Sequence, residues 1–111
     1  MRVWRALQYS ADGIAAAIKH EAAFRQELAV GLPLLLLAWW LADTRWEALA
    51  LSAAIVFVWI VEIVNSAIEA VADTVTLDEH QLIKRAKDLG SAAVMLAIGS
   101  AAGVWLTVLW P

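Results

Sequence analysis

The chain has 111 residues, 63% of them hydrophobic and 17% charged; this length allows one domain, and a soluble fold of that size would expose large patches of Leu, Ala, Val, Ile and Trp. A net charge of −3 with 8 basic residues excludes nucleic acid as partner, because that needs a concentrated basic face. The lack of cysteine excludes disulfides, thiol chemistry and thiolate metal sites, and the solvent that fits the composition is a bilayer.

The first predicted element covers residues 1–20. Val3, Leu7, Ile14 and Ile18 alternate with Arg2, Arg5, Gln8, Asp12 and Lys19, and Trp4 and Tyr9 lie between them. This mixture of apolar, aromatic and basic residues ahead of a membrane span predicts an amphipathic helix lying in the interface. The segment has no apolar core running into a small-residue cleavage site, so no removed signal peptide is expected.

The next apolar run, residues 28–42, is shorter than the roughly 20 residues a spanning helix needs. The helix is therefore extended back through Glu27, Gln26 and Arg25 to Phe24, giving about 24–42, with those polar groups turned to the bundle or the headgroups. Pro33 and Gly31 predict a bend. A polar link over residues 43–47 leads to a second helix at about 47–73, apolar over 48–61 and amphipathic from Glu62 onward. The third, about 86–110, is uncharged from Leu89 onward, and its Gly99 and Gly103 have the small-xxx-small spacing of close helix contacts. The expected fold is an all-α membrane protein, one domain over residues 1–111, with a surface helix followed by three transmembrane helices.

Basic residues set the orientation. Arg2, Arg5, Lys19, Arg25, Lys84, Arg85 and Lys87 fall on one side of this layout and Arg45 alone on the other, which places the N-terminus in the cytoplasm. Trp39, Trp40, Trp46, Trp105 and Trp110 then gather toward the outer interface, where an indole ring is half wet and half buried.

Glu62, Asn65, Glu69 and Asp73 fall at helical offsets 0, 3, 7 and 11, which puts the three acids within about 40° of one another on the helix. A carboxylate at the bilayer centre costs about 2.5–3.5 kcal/mol, so the stripe faces protein, water or a cation. Either the acids pair with Lys87, Arg25 or Arg85, or they hold a metal or a charged substrate. Glu21 and Arg25 are spaced for an i,i+4 pair. Lys84, Arg85 and Lys87 at the start of the last span serve topology, anionic lipid or a bound anion. No Gly-x-x-x-x-Gly-Lys-Ser/Thr loop exists among the 5 glycines, so any phosphate is bound by side chains. His20 and His80 lack ligand spacing and are expected to be solvated.

Three segments, Glu21-Ala-Ala-Phe-Arg-Gln-Glu27, Val61-Glu-Ile-Val-Asn-Ser-Ala-Ile-Glu-Ala-Val-Ala-Asp73 and Ala86-Lys-Asp-Leu-Gly-Ser-Ala-Ala-Val94, resemble in order and spacing the signature segments of the bacterial diacylglycerol kinase family. The resemblance implies an inner-membrane homotrimer with its active sites on the cytoplasmic side, shared between protomers. It also implies ATP as phosphoryl donor, Mg²⁺ as cofactor, and transfer of the γ-phosphoryl group to the hydroxyl of diacylglycerol to give phosphatidic acid. Carried over by residue, Glu62 would be the catalytic base, and Glu21 and Glu69 would hold Mg²⁺. Arg2, Tyr9, Glu21, Glu69, Asp73, Lys87 and Asp88 would bind ATP, and Gln26, Glu62, Asn65 and Trp105 would bind the lipid. Relatives that phosphorylate undecaprenol use the same catalytic parts, so that acceptor stays open, as does an oligomeric ion or proton pathway built on the acidic stripe.

Overall fold

The computed structural model describes residues 2–75 and 80–111. They form α1 (Arg2–His20), α2 (Ala22–Leu41), α3 (Arg45–Val75) and α4 (Gln81–Leu109), with no strand among the described residues. The expected fold class holds: α2, α3 and α4 are each long and apolar enough to cross a bilayer, and α1 precedes them.

α1 is amphipathic and exposed along nearly its whole length, burying only Ala17. Its main packing is on α2. Glu21, at φ −112° and ψ 105°, breaks the helical path between the two. Few backbone bonds are lost there, since the Glu21 N–H donates to Ala17 O at 3.0 Å and the Arg25 N–H to Glu21 O at 3.1 Å. The expected Glu21 and Arg25 pair is replaced: Arg25 Nη1 donates to the carbonyls of Ile18 at 2.9 Å and Lys19 at 3.1 Å. A guanidinium satisfies the negative, unpaired end of α1 and so fixes the angle between the surface helix and the first span.

α2 starts two residues before the expected boundary and continues unbroken through Pro33. Thr44 and Glu47 end the connection to α3 in a variant of the capping box: Thr44 Oγ1 accepts from the Glu47 N–H at 3.2 Å, and Glu47 Oε2 accepts from the N–H of Asp43, one residue before the cap, at 3.1 Å. This Thr-x-x-Glu sequence, read above only as a polar link, is a helix start signal. α4 begins at Gln81, five residues before the expected 86. Gln-Leu-Ile-Lys-Arg-Ala are good helix formers, and His80 is the N-cap, its Nδ1 accepting from the Leu82 N–H at 3.2 Å. His80 therefore has a local structural role beyond being solvated.

α3 lies between its neighbours and packs on both α2 and α4, giving a flat body of 49 × 38 × 22 Å. Small residues set the spacing, since Ala54 and Val58 of α3 meet Ala97 and Ala101 of α4. Three indole N–H groups tie the helices together: Trp39 Nε1 to Ser52 Oγ at 3.0 Å, Trp59 Nε1 to Glu27 O at 3.0 Å, and Trp105 Nε1 to Leu51 O at 3.1 Å. In hydrocarbon an unmet N–H is costly, so each such bond is worth more than area alone suggests. Gly31 permits the second of these, because a Cβ there would lie 2.5 Å from Trp59 Cζ2. Leu36, Leu96, Met95 and Leu106 stay more than 60% exposed on the single chain, as a lipid-facing or subunit-facing surface requires.

Candidate functional site

The 31 residues of α3 extend about 46 Å at 1.5 Å per residue, well beyond a hydrocarbon core about 30 Å thick. The surplus falls after the apolar half, so the acidic end of α3 emerges on the membrane side shared by the start of α2 and the start of α4. Glu62 is the first acid of that stretch and is buried, at 5% exposure. Glu69 is half-buried and Asp73 exposed, so the stripe grades from protein interior to water.

Glu62 feels the charges of Glu27, then Glu69, then Glu21. These four carboxylates, from α3 and the start of α2, lie within electrostatic reach of Glu62 without three of them closing on one point among the described residues. Neither ion pair described in the structure includes any of the four. Glu21 is the N-cap residue of α2, yet its side chain does not cap the helix. Like charges crowded at the edge of a low-dielectric slab repel, and a folded protein keeps such a cluster when a cation or a positively charged complex completes it.

Asp73 is accounted for differently. Lys87 Nζ lies 2.7 Å from Asp73 Oδ1 and clasps α4 to α3, with the two side chains 39% and 46% exposed. Of the acidic stripe only Asp73 takes the ion-pairing alternative. One turn away Lys84 Nζ pairs with Asp88 Oδ2 at 2.7 Å in an exposed i,i+4 contact. Pairs this wet add little to stability, so Lys87 can exchange Asp73 for another anion at small cost.

Asn65 projects from α3 one turn after Glu62, and its Oδ1 is buried without a hydrogen-bond partner. A buried acceptor of this kind costs about 1–3 kcal/mol unless something meets it. The Oδ1 lies directly against Gly90 of α4, where an added Cβ would overlap it.

On the lipid side of the cluster a groove of about 300 Å³ lies between α2, α3 and α4. Leu34, Val58, Trp59 and Trp105 are among its apolar walls, and Glu27 is the carboxylate on its lining. Trp105 is half-buried here and bonds to Leu51 O, next to the Ser52 that Trp39 holds, whereas Trp39, Trp40, Trp46 and Trp110 are strongly exposed. Gln26 is exposed on α2. Arg2 and Tyr9 line a separate shallow groove with Arg5 and Ala6 along α1, apart from the acidic cluster. Two contributors escaped sequence reasoning. Glu27 was legible as a carboxylate inside a signature-like segment, whereas the seat of Trp59 over Gly31 depends on the register of α2 against α3.

The family profile for prokaryotic diacylglycerol kinase matches residues 8–109 of the chain. The chain belongs to the prokaryotic diacylglycerol kinase family. The diacylglycerol kinase of Escherichia coli (strain K12) is 45% identical over 109 residues, covering 98% of this chain and 89% of that protein. The one from Pseudomonas aeruginosa is 42% identical over 108 residues, 97% and 88% of the two chains, and the one from Haemophilus influenzae 36% over 103 residues, 93% and 87%. The stretch matched by the diacylglycerol kinase family includes Glu21, Glu27, Glu62, Asn65, Glu69, Asp73, Lys87 and Asp88, whereas Arg2 precedes it.

Proposed function

We propose that this chain is an ATP-dependent diacylglycerol kinase of the bacterial cytoplasmic membrane, with the acidic end of its bundle on the cytoplasmic side. The observation that carries this reading is the buried Glu62, within electrostatic reach of Glu27, Glu69 and Glu21, with Glu27 also on the lining of the apolar groove. A lipid hydroxyl at the end of such a groove meets a carboxylate. Glu62 accepts the hydroxyl proton as that oxygen bonds to the γ-phosphorus and the bond to ADP breaks, general-base help that is commonly worth about 10²–10⁴-fold.

The donor set fits Mg²⁺. The described residues hold no ready-made cluster of three acidic or histidine ligands, and Mg²⁺ takes one or two carboxylates and completes its shell with phosphate oxygens and water. Glu21 and Glu69, from the α1–α2 junction and α3, are the carboxylates assigned to it; when bound, the ion neutralises charge on the transferring phosphoryl group. Lys87 and Asp88 with Asp73 orient the polyphosphate, and Arg2 and Tyr9, which stand apart from the acidic cluster on the single chain, are assigned to the nucleotide on the family resemblance. Gln26, Asn65 and Trp105 hold the acceptor. A homotrimer whose neighbours complete each site is assigned on the family resemblance alone.

The acceptor assigned is diacylglycerol, which the names of the relatives favour over undecaprenol. The test incubates the purified protein in mixed micelles with γ-labelled ATP, Mg²⁺ and each lipid alcohol. Label in phosphatidic acid is the expected result. Preferential label in polyprenyl phosphate would change the acceptor, and no transfer to either lipid would leave the acidic stripe to an ion pathway.

A further inference from the structure

We infer that Gly90 is a positioning residue for the reaction: its missing side chain lets α4 press against Asn65 and fixes the Asn65 amide beside the base Glu62. This rests on the kinase reading above. Gly90 is buried at the seam of α3 and α4, one turn beyond the Lys87 that clasps Asp73. The Cα–H bond that a side chain would replace points at Asn65 Oδ1, with the Asn65 Cγ 3.2 Å and the Ile68 Cδ1 3.8 Å from the Cβ position. The Oδ1 has no conventional donor, and a Cα–H group aimed at it is the weak donor that a glycine alone supplies in this direction.

The consequence is geometric. With Oδ1 turned into the α4 backbone, the Asn65 Nδ2 lies on the other side of the amide, where its N–H groups can donate to an acceptor in the site. Asn65 and Glu62 are three residues apart on one helix and share a side of it. Any atom added at Gly90 pushes the amide off this setting or drives α4 from α3 where Lys87 and Asp88 are mounted. Gly13, Gly99 and Gly103 have nothing within 4 Å of their Cβ positions, and the other crowded glycine, Gly31, meets Trp59 and Ile55, so the constraint on Asn65 is specific to Gly90.

The test is a double-mutant cycle in mixed micelles, with kcat and both KM values measured for wild type, Gly90→Ala, Asn65→Ser and the double variant, and thermal inactivation followed in parallel. Shortening residue 65 makes room for the methyl group, so the double variant keeps the proposal testable even if Gly90→Ala alone does not fold. Gly90→Ala is expected to lower kcat at least about tenfold, since displacement by about 1 Å near the chemistry is enough for that. In the Asn65→Ser background the same change is expected to cost less than about twofold, the signature of two residues acting as one unit. The proposal is overturned by wild-type kcat in folded Gly90→Ala, or by losses that multiply in the double variant. An inactive wild type would instead overturn the kinase reading.

Discussion

Glu69 and Lys87 separate two functions that a charge stripe alone confounds. Glu69 is half-buried two turns from Glu62 on the same face of α3 and in neither ion pair described, and its proposed role is to hold Mg²⁺. Glu69→Gln is expected to move the Mg²⁺ concentration for half-maximal activity upward by about tenfold or more, since removing one of few carboxylate ligands weakens the site; an unchanged Mg²⁺ titration rejects that role. Lys87 pairs with Asp73 across α3 and α4. Because a pair this exposed adds little to the fold, Lys87→Met is expected to leave thermal stability nearly intact while raising the KM for ATP. A large loss of stability with an unchanged KM would make Lys87 a helix clasp only. The acids were legible because their offsets lie within one helix. The partner of Arg25 was not, since a guanidinium one turn from a carboxylate can instead turn back to the carbonyls ending the previous helix.

The register between helices decides what the periodicity of each one leaves open. Three spans and a surface helix follow from uncharged runs separated by polar links, and the structure has them. The starts of α3 and α4 moved because caps, and not hydropathy, set them: the Thr44 and Glu47 box and the His80 N-cap. The join of α2 to α3 rests on Gly31 under Trp59, whose ring is pinned by its bond to Glu27 O at 3.0 Å. Gly31→Ala is expected to destabilise the protein by about 1–3 kcal/mol through overpacking, and Trp59→Phe in the same chain is expected to recover part of that loss. Thermal inactivation in detergent measures both. Equal stability of Gly31→Ala and wild type would mean that the Trp59 ring moves aside without cost. No periodicity in α2 or α3 taken singly carries this pairing.

The whole molecule is a thin three-helix layer with a polar end and an apolar body, and orientation follows from where its cations lie. The chain lacks cysteine, so single cysteines report sidedness without background. Ser10→Cys is expected to react with an impermeant maleimide only in inverted vesicles, and Asp43→Cys only in right-side-out ones; the reverse pattern would place the acidic end outside and remove access to cytoplasmic ATP. With orientation settled, the account depends on the buried carboxylate at the polar end taking a proton from a lipid hydroxyl. The most direct measurement compares Glu62→Gln with wild type for phosphatidic acid formation and, in the same micelles, for nucleotide binding. The expected result is a loss of turnover of at least about 100-fold with ATP affinity retained. Near-normal phosphatidic acid formation by Glu62→Gln would contradict the account, and an equal loss of nucleotide affinity would move Glu62 from base to nucleotide ligand.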